Sequence, residues 1–167
     1  MLPLLLANYV AAADTNYLTA AVRHSVAVPT NEVGIAHNSS IEVGVTIVAR
    51  QAFGVRFVVV PDPPAVYNEE TPTIAFGPTV YWAWYGRLSS HIDVYPTGAT
   101  GFVVGQRPLG APVNKVLPMF QAGVGMRFHS KVGKLEWYAT PEIGFVPLIV
   151  APYFGLGVGL MAPAKQD

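Results

Sequence analysis

The sequence contains no cysteine in its 167 residues. A disulfide framework and any thiolate metal site are therefore excluded. Charge is also scarce, because ten basic and ten acidic residues cancel to a net charge of zero and make up only 12% of the chain. Soluble domains carry about 25% charged residues. The neutral balance gives no indication of nucleic-acid binding, which needs a basic surface.

Long apolar runs are missing as well, although 51% of the residues are hydrophobic. No stretch approaches the ~18 consecutive apolar residues of a membrane-spanning helix. So few charges would not cover the surface of a soluble protein of this size. Only helices and closed β-barrels satisfy every backbone polar group in lipid. The composition therefore predicts a membrane β-barrel.

The N-terminal residues 1–13 form an apolar run that ends in small residues before Asp14. This pattern is typical of a signal-peptide remnant, and a structured N-terminal segment is the alternative. We expect the chain to divide into this segment over residues 1–15, a β-barrel over 16–162 and a C-terminal tail over 163–167.

Eight segments alternate apolar and polar residues with a period of two, which indicates β-strands. Residues 41–50, for example, place Val43 and Val45 on one face and Glu42 and Thr46 on the other. Charged side chains fall on the polar face throughout, and His24 is the one titratable residue on an apolar face. We expect the apolar faces to contact lipid and the sparse polar faces to line the interior. The eight segments are 17–28, 41–50, 52–60, 73–85, 88–95, 116–129, 134–146 and 151–161.

The connections between these segments alternate in length. Long gaps at 29–40, 61–72 and 96–115 alternate with short turns, which predicts long loops at one end of the barrel and short periplasmic turns at the other. Outward aromatic residues are expected at both ends, as in the aromatic girdles of membrane barrels. At the short-turn end these are Phe53, Trp82, Trp84, Phe128 and Trp137, and at the long-loop end Phe76, Phe145 and Phe154.

This arrangement resembles the small eight-stranded bacterial outer-membrane β-barrels, the class of the outer membrane protein A transmembrane domain. The resemblance covers residues 16–162 and rests on architecture and not on a signature motif. It implies an all-β, eight-stranded antiparallel up-and-down transmembrane β-barrel surrounded by outer-membrane lipid. It also implies a structural, adhesive or envelope-assembly role. The chain departs from the family in its end, because Ala162 to Asp167 follow the last strand where a terminal aromatic residue is usual.

Charged residues on the inward faces are the first candidate site. Eight strands enclose a lumen that side chains can fill, and buried charges must be paired there. We predict a structural ion-pair network that plugs the lumen, with a gated ion or proton path as the alternative. Arg127 and Glu136 flank a short turn and share the inward face, so they are expected to be near neighbours, directly or diagonally across the ladder. The predicted network comprises Arg23, Glu42, Arg56, Asp93, Arg127, Glu136 and Glu142.

The gap at 96–115 is the longest and is more apolar than an aqueous loop requires. Loops host binding because a rigid scaffold positions them. We expect this loop to contact another envelope protein or to dock into the mouth of the barrel. The residues predicted for this contact are Phe102, Val103, Val104, Arg107 and Leu109.

Two groupings could carry nucleophilic chemistry, which needs a nucleophile, a base and an orienting group. His37 could combine with Ser39 and Asp62 in the long loops, although a solvated loop histidine is the simpler interpretation. His129 and Ser130 could combine with Glu136, but adjacent strand residues point to opposite faces. We therefore predict no catalytic residue, cofactor or metal.

Two rival functions are kept, a lipid-modifying outer-membrane enzyme and a soluble lipocalin-like binder of an apolar ligand. The soluble barrel would carry its apolar residues inside and its charges outside. The positions of Arg56 and Glu136 relative to the barrel wall discriminate it from a membrane barrel.

Overall fold

A computed structural model of the chain describes residues 16–28, 35–47, 50–61, 74–106, 115–133, 135–147 and 151–164. Eight long strands and one two-residue strand form a single antiparallel sheet. β1 pairs with β9, and β4 pairs with β6, so that the sheet closes on itself. The strands are β1 (Tyr17–Ala27), β2 (Ala36–Ile47), β3 (Gln51–Pro61), β4 (Ile74–Trp84), β5 (Gly86–Arg87), β6 (Ile92–Gln106), β7 (Lys115–Val132), β8 (Leu135–Val146) and β9 (Ala151–Pro163).

The predicted fold class, an all-β barrel of eight long strands, is confirmed. Closure satisfies the backbone polar groups that a sheet edge would leave unpaired. Among the described residues there is no helix that is long and apolar enough to cross a membrane. The predicted leader over residues 1–15 and most of the tail over 163–167 lie outside the described residues.

The two faces of each strand differ as the alternation predicted. In β2, Val43 is 57% exposed on the outer wall, whereas its neighbour Glu42 is 4% exposed inside. Arg56 and Glu136 are likewise buried inside the barrel. This orientation is the one expected of a barrel embedded in lipid, since charged side chains on a lipid-facing wall are costly. It is the reverse of a lipocalin-like barrel.

Aromatic side chains lie on the outer wall near both ends of the barrel. Trp82 pairs with Phe53 across β3 and β4 near the short connections, and both are about half exposed. Phe154 lies on the outer wall of β9 near the long connections. Rings at these two levels match the aromatic girdles of membrane barrels.

The prediction of a loop over residues 96–115 is wrong for its first half. β6 extends to Gln106 and pairs with both β4 and β7, so that Phe102, Val103 and Val104 lie in a strand. Phe102 faces outward, and Val103 packs inside against Val58.

Glycine is typical of loops, but the glycines of β6 allow close packing between strands. A Cβ at Gly98 would collide with the indole of Trp82, and one at Gly101 with the backbone of Thr79. Arg107 and Leu109 lie outside the described residues, so a partner contact through them stays a prediction.

Two further boundaries differ from the predictions. β2 begins at Ala36, so residues 36–40 are strand and not loop. Residues 88–91, predicted as strand, form the turn between β5 and β6, where the backbone N–H groups of Leu88 and Ser89 both donate to the carbonyl of Ile92.

Inward tyrosines fit over glycines on the neighbouring strands. Gly44 faces Gly54 across β2 and β3, and Gly54 faces Tyr81 on β4. A Cβ at either glycine would collide with the Tyr81 side chain, so both glycines make room for the ring. Glycine beneath an aromatic ring is a recurrent device for packing a curved sheet. A second unit of the same kind comprises Gly123, Gly144 and Tyr153.

Replacing Gly144 with valine is expected to destabilise the barrel by about 1–3 kcal/mol, because overpacking displaces neighbouring groups. A Cβ there would meet the Tyr153 ring and the Ala122 carbonyl. Gly86→Val is the matched control, since its Cβ would meet only Val94 atoms at 3.7 Å. Urea unfolding in detergent micelles measures both variants, and equal losses of stability would contradict the packing argument.

Candidate functional site

Four alternating charges from four strands meet inside the barrel, nearer the long connections. The Arg23 guanidinium lies between two carboxylates, with Nε 2.8 Å from Glu42 Oε1 and Nη1 2.6 Å from Glu142 Oε2. Glu42 also pairs with Arg56, whose Nε lies 2.6 Å from Glu42 Oε1 without the alignment of a hydrogen bond. All four side chains are less than 10% exposed. Each charge therefore has a counter-ion, as a low-dielectric interior requires.

Neutral polar groups complete this cluster. Tyr95 and Tyr153 donate hydroxyl hydrogen bonds to Glu142, the first over 3.3 Å. Arg56 Nη1 donates to Gln121 Oε1 over 3.0 Å, and Arg23 Nη2 donates to Thr140 Oγ1 over 3.5 Å. These hydrogen bonds engage carboxylate oxygens and guanidinium N–H groups in addition to the ion pairs, which lowers the cost of burying the charges.

A second cluster lies nearer the short connections. Arg127 donates to Asp93 Oδ2 from Nη2 over 2.6 Å and from Nε over 3.1 Å. His129 Nε2 lies 3.5 Å from the same Asp93 oxygen, and His129 Nδ1 hydrogen-bonds Glu136. The Arg127 guanidinium also lies 3.7 Å from the centroid of the Tyr85 ring. The partly exposed Arg87 is a weaker partner of Asp93 at 3.8 Å.

The structure thus brings all seven predicted lumen residues inside the barrel and joins them in two groups. Arg23, Glu42, Arg56 and Glu142 form the long-loop group, and Asp93, Arg127 and Glu136 belong to the short-turn group. Short ion pairs such as Arg23–Glu142 and Arg127–Asp93 neutralise the buried charges within each group.

Arg127 and Glu136 share the inward face as expected, but the prediction that they are direct or diagonal neighbours across the ladder is wrong. Lys131 faces Glu136 across the β7–β8 hairpin, and Asp93 faces Arg127 across β6 and β7. The register follows from the end of the hairpin, where Val132 pairs directly with Leu135. His129 occupies the position diagonal to Glu136 and makes the contact that was expected of Arg127.

Residues that the sequence analysis left out of the network include His129, Gln121 and the inward tyrosines. They stand on the polar faces of their strands, so the alternation placed them inside. Their partners depend on register, which hydrophobic patterning fixes only to within steps of two residues.

A second candidate site lies on the outer wall, where β1 and β2 approach the long connections. His24 Nδ1 is 3.0 Å from Ser39 Oγ, and His24 Nε2 is 3.4 Å from His37 Nδ1. All three side chains are exposed on the lipid-facing surface. His37 and Ser39 were predicted together but in a loop with Asp62. Instead they lie in β2, with His24 as the third group, and Asp62 lies outside the described residues.

The other predicted grouping does not assemble. His129 is buried inside the barrel, whereas the adjacent Ser130 pairs with Trp137 on the opposite face. In the described part of the chain, no group of three or more histidines and carboxylates has the arrangement of a metal site.

Comparison with known proteins gives similarity in structure alone. No protein-family model matches the chain, and no curated protein matches it in sequence. The chain is similar to neisserial surface protein A, with 13% identity and a TM-score of 0.58 over 89% of this chain and 97% of that one.

Two further solved structures give lower scores. The N-terminal β-barrel domain of Pseudomonas aeruginosa OprF has a TM-score of 0.49 and 8% identity over 86% of this chain and 96% of that one. The attachment invasion locus protein Ail of Yersinia pestis has a TM-score of 0.47 and 9% identity over 90% and 99%. The similarity to neisserial surface protein A, with the closed sheet of eight long strands, confirms the resemblance to small eight-stranded outer-membrane barrels at the level of the fold.

Proposed function

We propose that this chain is an integral outer-membrane β-barrel with a structural, adhesive or envelope-assembly role and a lumen closed to solutes. The observation that carries the proposal is the inversion of the barrel, with apolar side chains outside and paired charges inside. Such a surface is stable only in lipid, and closed barrels of this kind occur in outer membranes.

Two features support a structural lumen over an ion path. The inward charges are bound in short ion pairs, such as the 2.6 Å contacts of Glu142 with Arg23 and of Asp93 with Arg127. Inward tyrosines pack against glycines of the neighbouring strands, so that their rings occupy part of the lumen. An eight-stranded barrel has just enough interior for such side chains.

Reconstitution into planar lipid bilayers tests the closed lumen. We expect no discrete conductance steps from the folded protein, while a wide general porin in the same bilayer serves as the positive control. Stable conductance steps would contradict the proposal and favour a gated ion path. Membrane fractionation tests the location independently, since recovery with inner membranes or in the soluble fraction would contradict it.

A further inference from the structure

The Ser39–His24–His37 cluster lies at the level of an aromatic girdle. Val26 on β1 pairs with His37 on β2 and with Phe154 on β9, so these three outer-wall residues are close neighbours near the long connections. Ser39 likewise has the girdle residue Phe76 two strands away, with Val59 between them. Aromatic girdles mark the boundary between hydrocarbon and headgroups. The cluster therefore lies where the acyl esters of membrane lipids are found.

Strand geometry agrees with this depth. Eight residues separate His37 from Val45, which is level with Phe53 of the opposite girdle. At about 3.3 Å per residue and a tilt near 40°, that separation is about 20 Å along the barrel axis. An apolar band of a membrane barrel is about 25 Å tall.

The three side chains form a directed chain of hydrogen bonds. With the Nε2–H of His24 donating to His37 Nδ1, the Nδ1 lone pair of His24 accepts from the Ser39 hydroxyl. One tautomer of His24 thus satisfies both contacts. A nucleophile, a base and a group that orients the base are the elements of nucleophilic acyl transfer.

Polar side chains are costly on a wall that faces lipid, and titratable ones there usually serve a function. Outward positions that continue β2 from the cluster are Ile41, Val43 and Val45, and each is apolar and exposed. The outer wall of β2 thus changes from apolar to polar at the cluster, so that three polar side chains meet at the boundary of the hydrocarbon layer.

An apolar groove of about 690 Å³ runs along the outer wall beside the cluster. It includes His24 and Ser39 and continues over Phe57, Leu156 and Val158 towards the middle of the barrel. Its apolar wall matches the hydrocarbon chain of a lipid, since both are excluded from water. A chain lying in the groove would bring its ester end to Ser39.

We propose that Ser39, His24 and His37 form a hydrolytic site for acyl esters of membrane lipids, an activity beyond the structural role. Ser39 is the nucleophile, His24 is the general base and acid, and His37 is a positioning residue that holds His24 in the required tautomer. The substrate class is a long-chain carboxylic ester of a phospholipid or an acylated glycolipid.

The reaction proceeds in two balanced steps with water as the second reactant. Ser39 Oγ attacks the ester carbonyl carbon while its proton passes to His24 Nδ1. The ester C–O bond then breaks, and His24 returns that proton to the leaving alkoxide, which gives a free alcohol and an acyl-Ser39. Water, deprotonated by His24, attacks the acyl carbon and releases the fatty acid, and the proton restores the Ser39 hydroxyl.

The test uses the full chain folded in vesicles that contain a lipid with a labelled acyl chain. One set of vesicles carries phosphatidylglycerol and phosphatidylethanolamine, and a second set adds an acylated glucosamine lipid, so that the two ester sources are distinguished. We expect release of labelled fatty acid from at least one set. Ser39→Ala and His24→Ala should each lower the rate by at least about 100-fold.

His37 is tested by rescue. His37→Ala should lower the rate roughly tenfold or more, because His24 loses the acceptor that fixes its tautomer. His37→Gln keeps an acceptor oxygen and should recover most of the activity. A side chain that only filled space on the wall would not distinguish alanine from glutamine in this way.

The chain contains its own matched control. Ser90 Oγ lies 2.8 Å from His91 Nδ1 in the exposed turn at the opposite end of the barrel, away from the groove. Ser90→Ala should leave the rate unchanged. A heat-modifiability gel verifies that every variant is folded.

Covalent labelling gives a readout independent of turnover. A lipophilic fluorophosphonate should modify Ser39 and spare Ser90, as mapped by peptide mass spectrometry. Fatty-acid release that Ser39→Ala does not reduce, or a folded wild type with neither release nor Ser39 labelling, would overturn the proposal. Neither outcome bears on the closed lumen, which the conductance measurement tests separately.

Discussion

Replacing Glu42 with glutamine is expected to lower the free energy of unfolding by about 3–5 kcal/mol. Glu42 is the counter-ion of Arg56 and one of two counter-ions of Arg23. Arg23 keeps Glu142 after the substitution, but among its described contacts Arg56 keeps only the neutral Gln121 amide and the Tyr81 ring. A buried cation without a counter-ion is the source of the loss.

Urea unfolding in micelles measures this loss against two comparisons. Arg87→Gln removes the exposed partner of Asp93, 41% exposed and 3.8 Å away, and should change stability by less than about 1 kcal/mol. Replacing Glu42 and Arg56 together by methionine removes the pair without leaving a lone charge, and should recover at least half of the loss. A Glu42→Gln barrel as stable as Arg87→Gln would show that the lumen charges are hydrated and not buried.

Strand orientation was predictable from the sequence because apolar residues that face lipid alternate with polar residues that face the lumen. Val43 and Val45 alternate with Glu42 and Gly44, and the structure places each on the expected side of the wall. Because charged residues are scarce in the sequence, the apolar face of each strand was predicted to be the one that contacts lipid. Strand orientation identified the charged residues that face the lumen, but it did not predict which of them form ion pairs.

Pairing was not predictable because it depends on turns and register. A shift of two residues keeps every side chain on its face and changes every partner. The hairpin after Val132 sets Lys131 across from Glu136, so that Arg127 is left to Asp93. Only the geometry of the turn distinguishes this register from the one expected.

The end of a strand was not predictable from the sequence where glycines within the strand make room for neighbouring groups. Gly98 and Gly101 in β6 make room for Trp82 and Thr79, yet the same residues are typical of loops. The start of β2, by contrast, could have been predicted from the sequence. His37 and Ser39 continue the outward positions of Ile41 and Val43, so the alternation extended into the predicted loop and towards His24.

Substituting arginine for Val124 is expected to impair insertion by about 2–4 kcal/mol. Val124 is 56% exposed on the outer wall in the middle of β7, where it pairs with Pro96 and Ile143. An arginine there would bring its charge into the hydrocarbon midplane. Val45→Arg, level with the Phe53 girdle, should also impair insertion, though less than Val124→Arg because it lies nearer the interface.

Val132→Arg is the matched control on the same strand and the same face. Val132 is 68% exposed and is the last residue of β7, eight residues from Val124. That distance is about 26 Å along the strand, enough to carry the position from the midplane to the interface, where arginine costs about 0–1 kcal/mol. Reversible urea titration of folding into lipid vesicles compares the two variants. Equal free energies for Val124→Arg and Val132→Arg would show that the outer wall of β7 does not cross a hydrocarbon layer, because only such a layer makes the cost of one charge depend on depth.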